Sequence, residues 1–279
     1  MTSPESPTFS QDDLDAAIAV LSQTGGEEEV RELFSLSDEE LLAVDGVQHP
    51  QLTELPWVEA NADAAELREL VAAVAMRSLL ARGLITTSAD ADPAAYGPGS
   101  QKPLSFDAVP ELRGVAVLRR IPEAFVLLHR RTAAGDATSY FYLFEVQGER
   151  HVLWEAYDAS GMHVFHRVPS ALLAQQIRSF MDPESGTGDS DGETEEVTVE
   201  AFEGSPIAQQ LSEARAVTTA VVVSVGEGTT EGFTAFAMPD RLVLMESDEQ
   251  MHRLGTVSAD SMDAIVEELA AAAMGEPQR

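Results

Sequence analysis

The sequence predicts an α+β fold: quasi-two-fold antiparallel β-sheet meanders, each closed by a helix, with flanking N-terminal helices. Three observations predict it. Between Ala64 and Arg82 apolar residues recur at i, i+3, i+4 and i+7, the period of an amphipathic helix. From Gly114 onward, short stretches rich in Val, Tyr and Phe are divided by Gly, Pro and Asp, as in strands joined by tight turns. A pattern of four strands and a helix then occurs twice.

In chain order, Ser10 and Asp13 stand at capping-box spacing ahead of Leu14, Ala17, Ile18 and Leu21, which share one helical face. Gly25-Gly26 stops that helix. A short helix is expected over Glu28 to Phe34. Another starts at Ser37, with Glu40 three residues on as its reciprocal cap. Pro50 and Pro56 punctuate the next stretch. The helix Ala64 to Arg82 has Asp63 and Glu66 at its start and Gly83 as its stop. Its stripe of Leu67, Leu70, Val71, Val74, Ala75 and Leu79 must pack on something. Leu84-Ile85 begins a short extended piece, and residues 86–105 read as a loop.

The first meander is expected as strands Val115–Arg119, Phe125–Arg130, Ser139–Val146, His151–Tyr157 and His163–Val168. A helix from Ser170 to Met181 follows Pro169. Residues 182–205 carry many acids and no basic residue among Gly, Ser and Thr, which predicts a self-repelling linker, mobile at its centre. The second meander is expected at Val217–Val225, Gly232–Met238, Leu242–Ser247 and a short His252–Val257. Ser258 then caps a final helix with Met262, Ile265, Val266 and Leu269 inward. Tyr140–Phe144 matches Gly232–Phe236, Val152–Glu155 matches Val243–Glu246, and Met162-His163 matches Met251-His252, so the two halves read as an internal repeat. The expected organisation is an N-terminal helical extension, 1–63, and one main domain, 64–279. The main domain holds two similar units, about 114–181 and 216–273, joined by the acidic linker 182–205.

Composition narrows the function. The 48 acidic and 17 basic side chains give a formal net charge of −31. Phosphate backbones are bound by Lys and Arg that displace counterions, so nucleic acid is excluded as a partner, and anionic membrane surfaces repel the chain too. With no cysteine there is no disulfide, thiolate nucleophile or Cys-based metal site. Met1 to Ser10 lacks the basic and apolar regions of a secretory signal, and no apolar run approaches a membrane span. The expectation is a cytoplasmic protein. Its single lysine, Lys102, and single asparagine, Asn61, suit a high-GC bacterium.

No motif reads as an active site. His151, His163 and His166 fall in one meander, but His163 and His166, three residues apart on a strand, face opposite sides, which argues against a shared metal. Asp189, Asp191, Glu193 and Glu200 imitate a calcium loop, but Gly192 is misplaced and no flanking helices are expected. Gly97-Pro-Gly99 and Gly226-Glu-Gly228 read as turns. Ser160 near His163 is a hairpin neighbour without a nucleophile elbow. Catalytic, cofactor and metal residues are therefore expected to be none. Binding another protein is the reading that remains. A ligand- or metal-binding enzyme or sensor, with its site between the repeat units, is the alternative, and a dimerisation module through edge strands is a third.

The order of elements carries a resemblance. A helix ends in Arg82-Gly83-Leu84. A meander and helix, an acidic connection, and a second meander with a C-terminal helix follow. This resembles the EspG family, chaperones of type VII secretion in actinobacteria, over about residues 64–279. The resemblance implies a quasi-two-fold antiparallel sheet flanked by helices, and a helical-hairpin secretion substrate as partner. It carries over no site residue. By position, loop tips on a rigid sheet are the candidate binding surface. These are Arg130, Arg131, Thr132, Asp136 and Thr138 in the first meander, and Glu227, Thr229 and Glu231 in the second. Arg119-Arg120 and Arg130-Arg131 are the basic pairs, and internal pairing with acidic segments is their expected role.

Overall fold

Ser10 and Asp13 form the expected reciprocal cap: the Ser10 backbone N–H and hydroxyl donate to Asp13 Oδ2, and Asp13 N–H donates to Ser10 Oγ. They open helix α1 (Gln11–Ser22) in a computed structural model that describes residues 9–22, 29–87, 106–226 and 228–274. Gly25-Gly26, Gly97, Gly99, Glu227 and most of the expected loop 86–105 lie outside those residues. The chain divides into two compact units. One comprises Met1–Thr24, Ser35–Ile121 and Ser160–Met162; the other comprises Gly25–Phe34, Pro122–Ala159 and His163–Arg279. The helix at 65–81 thus groups with the N-terminal helices, whereas the sequence placed it with the sheet.

The first unit is helical. After strand β1 (Arg31–Ser37), Ser37 caps α2 (Asp38–Asp45) in a full capping box with Glu40. Then follow α3 (Pro56–Asn61), with Pro56 in its first turn, and α4 (Ala65–Ala81), stopped by Gly83 at φ +72°. The expected box between Asp63 and Glu66 does not form: Ala64 is the N-cap and no side chain bonds there. β2 (Ile85–Thr87) pairs with β3 (Phe106–Ala108), so Thr86 and Thr87 are strand and not loop.

Two other expectations are corrected. The helix expected over Glu28 to Phe34 is not found among its described residues, 29–34; 31–37 is strand, with Phe34 and Leu36 buried at the period of two that a strand requires. Val115–Arg119 is not a strand; it lies in and just after α5 (Pro110–Leu118). Four apolar residues in a row satisfy either period, and Gly114 reads as a turn. Gly114 is in fact where α5 meets α1. A Cβ there would lie 2.5 Å from the Ala16 carbonyl oxygen and 2.7 Å from Val20 Cγ2, so only glycine admits this approach.

Just past α5, Arg119 is buried and donates to Asp45 Oδ2 (2.8 Å) and Thr53 Oγ1 (2.8 Å). Arg120 donates to Asp45 Oδ1 (3.0 Å). The basic pair Arg119-Arg120 is thus paired internally, as expected, and Asp45 is the acid that it meets.

The second unit is built on a ten-stranded sheet of order β1-β7-β6-β5-β4-β9-β10-β11-β12-β8. Its strands are β4 (Ala124–Thr132), β5 (Gly135–Val146), β6 (Glu149–Asp158), β7 (Met162–Val168), β8 (Thr194–Thr198), β9 (Ala216–Ser224), β10 (Thr229–Ala237), β11 (Leu242–Ser247) and β12 (Met251–Val257). Every pairing from β7 across to β8 is antiparallel. The fold is α+β with a large antiparallel sheet, as the alternating pattern predicts.

After a 3-10 turn at Ser170–Leu172, α6 (Leu173–Met181) packs with α9 (Ala259–Ala273) over one sheet face. Val126, Leu128, Phe141, Leu143, Ala220 and Val222 meet Ile177, Met262 and Val266 there in a single buried cluster. Ser258 caps α9 through Ser261 N–H, as expected.

Residues 182–205, expected as an acidic linker, carry ordered contacts and short elements. Asp182 accepts from the N–H groups of Gly186 (3.0 Å) and Thr187 (2.7 Å). Asp191 accepts from Ser258 N–H (2.7 Å) and the Ser261 hydroxyl (2.7 Å), so this acid anchors the start of α9. The Ser258 N–H, then the Ser261 hydroxyl, hold the Asp191 carboxyl below the usual carboxylate range. The stretch continues as edge strand β8, α7 (Val199–Phe202) and, just beyond it, α8 (Pro206–Leu211). Carboxylate-to-backbone bonds join ion pairs from Arg215 to Glu184 and from Arg253 to Glu196 in giving the acidic stretch its structure.

Candidate functional site

Helix α4 is apolar over more of its circumference than the first unit buries. Ala72, Ala75 and Leu79 are buried. Leu67, Leu70 and Val74 share another face, at i, i+3 and i+7, and are 38 %, 59 % and 60 % exposed. The expected stripe is therefore split: Ala75 and Leu79 pack inside, Val71 is half-buried, and Leu67, Leu70 and Val74 face outward. A groove of about 410 Å³ runs along that face, lined by Leu70, Val71, Val74 and Ser78 of α4, Glu39 and Glu40 of α2, and Trp57 of α3.

The groove's walls are fixed by partly buried polar contacts. The Trp57 N–H donates to Asp38 Oδ2 (2.6 Å), which seats α3 against the start of α2. Glu40 accepts from the Ser78 hydroxyl (2.7 Å) and from Arg82, tying α2 to the end of α4. Arg82 also donates to the Ser35 carbonyl (2.6 Å). A concave apolar strip on a helix, bordered by a half-exposed tryptophan, can take up a partner's apolar side chains.

The predicted tip residues are placed differently. β4 runs to Thr132 and β5 starts at Gly135, so the expected loop Thr132 to Thr138 is a two-residue hairpin turn. Thr132 Oγ1 donates to the Gly135 carbonyl across it (2.9 Å). Thr138 is buried, 3.2 Å from His129 Nδ1. Arg130 donates to the Phe180 carbonyl (2.8 Å) and stacks 4.5 Å over the Phe180 ring, tying β4 to α6. Burial pushes its pKa below the usual arginine value. Arg131 and Asp136 are exposed and face each other in register.

In the second meander, Glu227 lies outside the described residues, Thr229 opens β10, and Glu231 is exposed on β10. The two tips are not brought together. Ala124 pairs with Ser224 and Thr132 with Ala216, so the tips project from opposite ends of β4, roughly 27 Å apart at ~3.4 Å per residue.

Glu231 lines a second cavity, of about 450 Å³, with Phe233, Glu246, Asp248, Arg253 and Glu268. Arg253 is within 3.2 Å of Asp248 and 3.4 Å of Glu196. This cavity belongs to β10–β12 and α9.

The histidines part as the strand period requires. His163 is fully buried, its Nδ1 2.7 Å from Glu155 Oε1, and its ring stacks on Tyr157 at 4.4 Å. His166 stacks on Trp154 at 4.5 Å on the other face. Among the described residues, no group of three or more His, Asp or Glu side chains could hold a metal ion.

His166 gives the sheet a pH response. Burial lowers its pKa below the ordinary 6.5, against a smaller opposing pull from Glu32. The folded state therefore prefers the neutral ring. Its contribution to stability is complete above about pH 6.5 and is lost as pH falls toward the lower folded value. His166→Phe keeps the ring stack and removes the proton site. Its melting temperature should fall less than that of the wild type between pH 7 and 5, and parallel profiles would show that His166 plays no part.

Sequence comparison adds no relative: the chain matches no protein-family model and no curated protein. The groove was half legible. The stripe on 67–74 shows in the sequence, but its outward direction does not. Trp57 stands behind Pro56 with only that proline to mark a helix start. No helix among the described residues is long and apolar enough to cross a membrane.

Proposed function

We propose that this chain is a non-catalytic, cytosolic protein-binding protein, a chaperone or adaptor that holds a helical segment of its client, as EspG-like proteins of type VII secretion do. The observation that supports it is the outward stripe of Leu67, Leu70 and Val74 along the Trp57-bordered groove. A client helix laying its own apolar face there would bury those side chains. Full burial of a Leu or Val contributes ~1.5–3 kcal/mol. The resemblance in element order points to the same class of partner.

The test is affinity capture from the native cytosol by the wild type and by Leu70→Glu/Val74→Glu. Both positions are more than half exposed, so the variant should fold with an unchanged melting temperature. The wild type should recover a small helical client, and the variant at least tenfold less of it. Equal recovery by both proteins rules this groove out as the docking surface.

A further inference from the structure

We infer that the occupant of the α4 groove is an amphipathic helix of another protein with Lys or Arg along its flank, and not a second copy of this chain; this rests on the protein-binding reading. The groove's lining carboxylates differ in what they have left to offer. Glu40 is tied to Arg82 and Ser78. Glu39, in the same wall, has no hydrogen bond or ion pair among the described residues. Glu66, one turn before Leu70 on α4, is exposed and its carboxylate is equally without a partner there.

Against these acids the same side of α4 sets one cation, Arg77, a turn beyond Val74. The apolar strip is therefore edged by carboxylates whose charge is not neutralised internally. The whole chain, at −31, adds a field of the same sign. A second copy would bring the same acids to the same edge, and like charges facing each other across an interface oppose association. Lys or Arg flanking an apolar helix would meet Glu39 and Glu66 while its Leu-type anchors fill the strip at i, i+3 and i+7.

The test uses the full chain and two synthetic amphipathic helices with identical Leu positions, one flanked by Lys and Arg and one by Glu. Calorimetric titration is run at about 50 mM and about 500 mM salt, where screening lengths differ roughly threefold. The basic helix should bind at least tenfold tighter than the acidic one at low salt, and the gap should narrow at high salt. Leu70→Gln/Val74→Gln, which changes no charge, should lose at least tenfold for the basic helix.

Equal affinities for the two helices, both lost in the variant, would overturn the charge inference and leave the docking reading standing. Undiminished binding of the basic helix to the variant would reduce it to general attraction to an acidic surface. Failure of both helices to bind the wild type would sink both readings. A concentration-dependent dimer in sedimentation, abolished by the variant, would make the occupant a second copy.

Discussion

Asp45→Ala should destabilise the helical unit by about 3–5 kcal/mol, among the largest losses available to a single substitution in this chain. Asp45 and Arg119 are both almost wholly buried, with side-chain exposures of 1 % and 1 %. Asp45 Oδ2 accepts from Arg119 at 2.8 Å, and Oδ1 from Arg120 at 3.0 Å. Removing the carboxylate takes away the acid 2.8 Å from a buried guanidinium, and breaking one side of a buried pair costs more than the net worth of the pair. Arg120, whose side chain is 22 % exposed, can turn to water; Arg119 cannot.

The cost should therefore fall when the guanidinium is removed as well. Asp45→Ala/Arg119→Met should recover a good part of the stability, because an apolar side chain of similar length fills the space without a charge. Denaturant unfolding of the three proteins checks this. A single variant within about 1 kcal/mol of the wild type, or a double variant no better than the single, would show that the pair is solvated in a way its burial does not suggest.

That contact also shows where sequence reading stops. Arg119-Arg120 could be read as a basic pair seeking internal acids, but nothing in the sequence singles out Asp45, 74 residues away, from the many other carboxylates. The sheet was legible because strand alternation and turn residues are local. Strands β4 to β7 and β9 to β12 stand within a few residues of their expected places.

Two elements were misread because tertiary packing, not local pattern, decides them. The run Val115 to Leu118 has no period of its own, and Gly114 looks like a turn until α1 is laid against it. At 31–37, Arg, Glu and Leu suggest helix, but the segment is an edge strand whose Phe34 meets Phe165. The groove was legible as a stripe and not as a surface. Periodicity finds apolar faces, and only the packed structure says that Ala72, Ala75 and Leu79 suffice for the interior, leaving Leu67, Leu70 and Val74 outward. The tip residues were chosen by position alone, and the first tip is a two-residue hairpin turn, Ala133-Ala134, shorter than the expected loop Thr132 to Thr138.

The second large effect is expected at Glu155, a residue the sequence shows only as one acid in an apolar strand. It is fully buried on the sheet face opposite α6 and α9. Its Oε2 accepts from the Tyr142 hydroxyl (2.7 Å) and its Oε1 lies 2.7 Å from His163 Nδ1. Tyr140 stacks on Tyr142 at 5.8 Å and on Tyr157 at 6.4 Å, so one carboxyl organises polar tips that would otherwise compete for partners within an aromatic layer. Glu155→Ala removes the buried contacts with Tyr142 and His163 and leaves a void, for a loss of about 3 kcal/mol or more. Glu155→Leu fills most of the volume but still takes the acceptors away, so it should recover only part. Glu155→Gln keeps one carbonyl acceptor and presents an amide donor in place of the other, so it should be the mildest of the three.

Urea unfolding followed by tryptophan emission, with Trp154 next in sequence, orders the variants. Near-UV circular dichroism reports the tyrosine stack directly. If the order is Gln, Leu, Ala with rising cost, and the aromatic signal weakens along it, the buried cluster fixes the register of β5, β6 and β7, because only one alignment brings Tyr142, Glu155 and His163 together. If Leu matches the wild type, apolar packing alone sets that register, and the polar cluster is tolerated by the sheet without being needed for it.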